Sequence, residues 1–218
     1  YTVWGTGSGS VVLSGAGSGT VTSSSPRTFT ATSTTLTCTV TNMSTVQVEL
    51  GVKTSYIPTS GTPVTRTADT LSYDIGDVIT QGQGSWYCEF KYSYSTGYPR
   101  IFELTDNTSS NTIIARVTNT KYLGVLVTTG GVSQATITTS TPISDNTLYK
   151  VLLTYKNNSV KLYLNGVLVG EDLSCTVPNL LKLFVCCTGE SGSQLNGYLN
   201  TFKYFKDVLS EADRKSVV

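Results

Sequence analysis

Apolar residues in this chain recur mainly at every second position, the spacing of strands that turn one face to a core. From Thr28 onward Phe29, Leu36, Cys38 and Val40, then Val46, Val48 and Leu50, keep even spacing, and β-branched threonines fill many positions between them. Before that point lie short apolar pieces such as Val11-Val12-Leu13, set between the runs Gly7-Ser8-Gly9 and Gly17-Ser18-Gly19. Residues 1–51 are thus expected to form about four strands, with too few apolar positions for a full core, as the C-terminal part of a sandwich begun upstream. Residues 52–69, with Pro58, Pro63, Gly61 and many hydroxyls, read as a linker.

Beyond residue 70 the chain becomes a series of hairpins. Gly130-Gly131 separates Tyr122–Thr128 from Val132–Thr138, Asn157-Asn158 separates Leu148–Lys156 from Val160–Leu164, and Asn165-Gly166 leads into Val167-Leu168-Val169. Such pairs supply the positive φ angles of tight turns. Ser85–Tyr94 and Asn196–Phe205 read as long strands, with Trp86, Phe90 and Tyr92 placed in the core by their shared face. The mostly apolar Lys182–Cys187 predicts a strand buried on both faces. Only Leu209–Lys215 reads as a helix, with Ser210 as its cap and acids ahead of bases along the dipole. Many short strands with no helices between them predict an all-β fold, an antiparallel β-sandwich of jelly-roll type over residues 70–218.

Composition narrows the chemistry. Charged residues are 13% of the 218, the net charge is +1, and Ser and Thr carry most of the polarity. Neither a phosphate-neutralising surface nor a polybasic membrane patch is present, so no nucleic acid and no membrane insertion are expected. The absence of His excludes Ser-His-Asp triads, Cys-His pairs and zinc-protease helices. Five cysteines, Cys38, Cys88, Cys175, Cys186 and Cys187, are odd in number and scattered through apolar runs. They predict free thiols and folding in a reducing compartment. The start at Tyr1-Thr2-Val3-Trp4-Gly5 lacks the pattern of a signal peptide and an initiator Met, which predicts a fragment or processed product with further chain upstream.

The string Gln47-Val48-Glu49-Leu50-Gly51, then Thr54-Ser55-Tyr56-Ile57-Pro58-Thr59 and Thr65-Arg66-Thr67-Ala68-Asp69, resembles a junction in tailed-bacteriophage structural proteins. There it joins a fibre or spike β domain to a concanavalin A-like, laminin-G-like jelly roll. Tyr87-Cys88-Glu89-Phe90, Tyr149-Lys150-Val151, Leu162-Tyr163-Leu164-Asn165-Gly166-Val167-Leu168 and the closing Leu209-Ser210-Glu211-Ala212-Asp213 are similar to strands and the final helix of that jelly roll. The Gly-Ser-Gly region is similar to head-spike or tail-fibre domains. The resemblance implies a virion protein made in the host bacterial cytoplasm without a signal peptide. It also implies a homotrimer assembled with other virion proteins, in a head or tail fibre.

A host-surface glycan is the partner such a module implies. Sugar rings stack on aromatic side chains while amides and charged groups take the hydroxyls. Tyr94, Tyr98 and Arg100, on the segment Tyr94-Ser95-Thr96-Gly97-Tyr98-Pro99-Arg100, are the first candidates, with Asn107 and Asn111 nearby. The other role for this loop is packing, or contact within a trimer. Asp106-Asn107-Thr108-Ser109-Ser110-Asn111 offers one carboxylate toward the six to eight oxygens of calcium, which makes Asp106 a poor ligand; no cofactor is expected. Glu89 and Glu103 could lie on neighbouring strands as a glycosidase pair. Phe102-Glu103-Leu104-Thr105-Asp106 nevertheless lacks the Glu-x-Asp-x-x-Glu array of jelly-roll glucanases, so no catalytic residues are assigned. Cys186-Cys187, beside Leu183-Phe184-Val185, reads as core packing. The expected function is non-enzymatic attachment, with a ligand-free structural module and a polysaccharide depolymerase as the alternatives.

Overall fold

Alternation of buried and exposed side chains produces fifteen strands and one short helix in the computed structural model, which describes all residues except 52, 54, 55, 61, 63, 65–69, 94–96, 189–192 and 218. The chain divides into two units, Tyr1–Thr67 and Ala68–Val218.

In the first unit β1 (Thr2–Gly15) pairs along most of its length with β4 (Leu36–Glu49), while β2 (Gly19–Val21) and β3 (Arg27–Thr28) pair with its other edge. All pairings are antiparallel. The register between β1 and β4 shifts on both sides of Gly7, whose φ is 128°, and a Cβ there would meet the backbone of Ser44 at 2.7 Å. A glycine at that bulge is therefore a steric requirement. The core is small: Val3, Val11, Leu13 and Val21, with Phe29, Leu36, Cys38, Met43 and Val46 against them. The even spacing does not bury every apolar residue of β4, since Val40 and Val48 stay 49% and 45% exposed. Leu50 lies past the strand end at 83% exposure. Part of the expected linker folds back on this sheet. Lys53 Nζ sits 4.7 Å from the buried Trp4 ring, Tyr56 meets that ring edge-on, and the Ile57 N–H donates to Gln47 Oε1 at 2.7 Å.

The second unit is a two-sheet sandwich. Its strands are β5 (Leu71–Asp74), β6 (Gln83–Tyr92), β7 (Arg100–Thr105), β8 (Thr112–Val117), β9 (Leu123–Thr129) and β10 (Val132–Thr138), followed by β11 (Leu148–Lys156), β12 (Ser159–Leu164), β13 (Val167–Asp172), β14 (Lys182–Val185) and β15 (Gly197–Phe205). One sheet runs β10-β9-β8-β7-β14-β5 and the other β13-β12-β11-β6-β15. Between them lie Trp86, Phe90 and Tyr92 from one side and Phe102, Leu104, Ile113 and Val125 from the other. The Trp86 ring approaches Phe102 across the core at 5.9 Å and its sheet neighbour Tyr204 at 4.7 Å. The three expected hairpins are present, with positive φ at Gly130, Gly131, Asn158, Asn165 and Gly166.

One expectation is corrected. β14 is not buried on both faces: Leu183 and Val185 are core residues, whereas Lys182 and Phe184 alternate to the outer face and are only partly covered. The helix forms as α1 (Glu211–Val217), and Ser210 Oγ accepts the Asp213 N–H at 3.2 Å while donating to the Asp213 carboxylate at 2.6 Å. The chain around α1 packs through Leu209 and Val217 on Tyr87, Leu152 and Tyr163, outward-facing residues of the five-stranded sheet. Among the described residues no helix covers the outer face of the six-stranded sheet, and none is long and apolar enough to cross a membrane.

Candidate functional site

Strand register organises the outer face of the six-stranded sheet into rows that cross the strands. Phe184, Glu103, Ile114 and Leu126 are successive cross-strand partners on β14, β7, β8 and β9. The adjacent row, two residues along each strand, is Lys182, Thr105, Thr112 and Thr128. On the other side Arg100 pairs with Arg116, which pairs with Gly124. The face therefore carries an apolar stripe with one carboxylate in it, flanked by a hydroxyl row and an arginine row. The apolar stripe with Glu103, the three threonines and Arg100 form the floor of a groove of about 470 Å³, whose sides are made by Asn107, Thr108 and Ser109 of the β7–β8 turn and by Thr188 and Ser193.

Arg100 and Glu103 form an ion pair in this floor, with Nε 3.6 Å from Oε2 and side chains only 16% and 14% exposed. A register shift between Arg100 and Phe102 lets residues three apart reach each other along one strand. The β7–β8 turn is braced from within. Thr105 Oγ1 donates to the Thr108 carbonyl at 2.8 Å and accepts the Asn107 N–H at 3.0 Å, and Asn107 takes a φ of 74°. Asp106 accepts from the Thr108 amide, the Thr108 hydroxyl and Asn111 Nδ2, at 2.9, 2.6 and 2.8 Å. Burial alone would raise the Asp106 carboxyl, but these hydrogen bonds together hold it below the usual carboxylate range. Asn111 Oδ1 in turn accepts the Gly130 N–H at 2.9 Å, which ties the turn to the β9–β10 hairpin.

The structure brings two of the sequence-selected residues, Arg100 and Asn107, into the groove. Tyr98 stands just before β7, 43% exposed, with the Arg116 guanidinium 4.8 Å over its ring. Asp106 and Asn111 spend their side-chain atoms on hydrogen bonds within the turn and to the β9–β10 hairpin. Tyr94 lies outside the described residues. Glu89 and Glu103 are not on neighbouring strands. Glu89 is on β6 in the five-stranded sheet and Glu103 on β7 in the other, with the core between them, because the connection after Tyr92 crosses from one sheet to the other. Glu89 instead accepts the Tyr87 hydroxyl at 2.6 Å and Asn200 Nδ2 at 2.8 Å, contacts that hold its carboxyl low. All five cysteines are free, and burial, with the Cys187 thiol beside it, pushes the Cys186 thiol up to about 11.

Phe184, Ile114 and Leu126 were not among the residues selected from sequence. Each sits in an apolar run, and only the cross-strand register shows that they align on the outer face. A second depression, of about 460 Å³, lies on the opposite sheet between α1 and the β12–β13 hairpin. Its charges are paired locally, Lys161 with Glu171 at 2.6 Å and Lys215 with Glu211 at 2.9 Å, and Arg214 covers the Tyr163 ring. It is the seam where the helix packs on its sheet.

The second unit is thus a two-sheet jelly roll with a groove on the outer face of its six-stranded sheet, and comparison with known proteins agrees with that fold. Residues 67–213 match a laminin-G-type family model described as the concanavalin A-like lectin/glucanases superfamily, and the chain belongs to that superfamily. No curated protein matches the sequence. Among solved structures, the CBM40 module of the Ruminococcus gnavus IT-sialidase, bound to α2,3 sialyllactose, aligns with a TM-score of 0.56 at 15% identity, over 70% of this chain and 95% of that one. Domain 4 of AbnA, a GH43 extracellular arabinanase from Geobacillus stearothermophilus in complex with arabinotriose, aligns at 0.55 and 14% identity, over 68% of this chain and 71% of that one. The leech intramolecular trans-sialidase aligns at 0.54 and 17%, over 69% of this chain and 26% of that one. At these identities the likeness is one of fold.

Proposed function

We propose that this protein is a non-enzymatic glycan-binding module of a phage appendage, and that the groove on the outer face of the six-stranded sheet is its site. The observation that carries the reading is the row order on that face. An apolar stripe accepts the C–H face of a sugar ring, and Thr112 and Thr128 of the row beside it donate to and accept from the ring hydroxyls. The fold supports it, since the CBM40 module and the arabinanase domain, each solved with a saccharide bound, share it. Glu103 is the sole carboxylate among the described residues lining the groove, whereas hydrolysis of a glycosidic bond needs two facing each other.

The appendage role rests on the resemblance of residues 47–69 to a phage junction and on five free thiols, which suit a product assembled in a bacterial cytoplasm. In a homotrimer built with other virion proteins, three weak grooves would act together on a polymer displaying many copies of the same unit. Labelled protein incubated with candidate host bacteria tests this. Labelling is expected, and it is expected to vanish when surface sugars are oxidised with periodate. Binding that survives oxidation would contradict a glycan receptor, and cells left unlabelled by an assembled oligomer would favour the ligand-free structural module.

A further inference from the structure

We infer that the groove selects an uncharged oligosaccharide, one without carboxylate, sulfate or phosphate groups; the inference rests on the glycan-binding reading and narrows it. Recognition of an acidic sugar calls for a cation whose donors face the ligand without an anion beside them. Among the described residues that line the groove, Arg100 is the only cation, and it lies 3.6 Å from Glu103 with both side chains largely buried. A sugar carboxylate reaching Arg100 would arrive against the Glu103 carboxylate and be repelled. Two further cations stand at the margins of the same face, each with a partner of its own. The Arg116 guanidinium lies over the Tyr98 ring, and Lys182 Nζ stands between Asp74, at 3.8 Å, and the Phe184 ring, at 5.9 Å.

The remaining polar lining fits neutral sugar better than an anion. Thr112 and Thr128 offer hydroxyls that can donate or accept, as sugar hydroxyls also do, whereas an anion can use donors alone; the Thr105 hydroxyl is held inside the β7–β8 turn. The order along the stripe adds a length. Phe184, Glu103, Ile114 and Leu126 cross four strands, three spacings of about 4.8 Å, so the stripe is about 14 Å long. Apolar surface lies at both ends, with the Glu103–Arg100 pair nearer the middle. Two sugar rings can thus rest on Phe184 and on Ile114 with Leu126, while Glu103 accepts and Arg100 donates to hydroxyls between them.

The test is retention of the whole chain on immobilised glycans, neutral oligosaccharides set against sialylated, uronate-containing and phosphorylated ones, in low and high sodium chloride. Neutral oligosaccharides are expected to retain the protein with less than about a twofold change across salt, because no charge pair is formed or screened. Monosaccharides are expected to bind at least about tenfold more weakly than the matching tetrasaccharides. Retention on acidic glycans that fades with salt would overturn the inference and leave glycan binding standing. Retention on no glycan would overturn both. Glu103→Gln is expected to lose neutral binding by about tenfold and to gain salt-sensitive binding of acidic glycans. Thermal melting reports whether that variant folds, and if it does not, the salt series on the natural chain decides alone.

Discussion

At the scale of single residues, Phe184 is the sharpest test of the groove, because it is the aromatic member of the stripe and is only partly covered. Phe184→Ala is expected to weaken glycan binding by about 1 kcal/mol, roughly a fivefold loss of affinity, while the protein still melts cooperatively. Titration by calorimetry beside thermal melting checks both halves of that statement. Asp106 carries a second prediction. Its folded carboxyl is held below its ordinary value of about 3.9, so its hydrogen bonds contribute stability above that pH and lose it as pH falls through the lower folded value. The turn that walls the groove should therefore loosen only on acidification. Carbon-detected NMR titration of the Asp106 carboxyl should give a midpoint below that of a freely exposed aspartate, and a midpoint at or above it would contradict the bracing role. Arg100 and Asn107 could be chosen from sequence because they stood near loop aromatics. Glu103 was weighed there only as half of a catalytic pair, and its ion pair depends on a register shift that no residue spacing announces.

At the scale of elements, hairpins and helix were legible because their signals are local. Asn165-Gly166 and Gly130-Gly131 dictate turn geometry whatever the tertiary context, and Ser210 with Asp213 caps α1. Ser210→Ala is expected to cost about 1 kcal/mol through the lost cap. Hydrogen exchange should show faster opening at Asp213 and in α1 while β6 and β11 keep their protection. The two-face burial expected of β14 fails for a non-local reason. A run such as Leu183-Phe184-Val185 looks alike whether its alternate residues meet a covering layer or a groove. That difference is set by the helix, which lies on the other sheet.

For the whole molecule, the two units differ in what sustains them. The second has a continuous core between two sheets, whereas the first buries only a few apolar side chains on one. Residues 68–218 produced alone are therefore expected to fold cooperatively and to keep full glycan affinity, measured by calorimetric unfolding and by titration. An unfolded fragment would contradict the independence of this core, and a folded but inactive one the placement of the whole site in the second unit. The sequence changes texture near residues 51–69, but the return of Lys53, Tyr56 and Ile57 onto the first unit was not legible there, because a Pro- and Gly-rich segment gives no sign of where it docks. The most direct test is NMR shift mapping of the labelled chain titrated with a neutral oligosaccharide retained on the glycan surface. Shifts are expected at Glu103, Asn107, Ile114, Leu126 and Phe184, with Tyr163, Leu168 and Arg214 silent; shifts confined to the seam beside α1 would contradict the placement of the site.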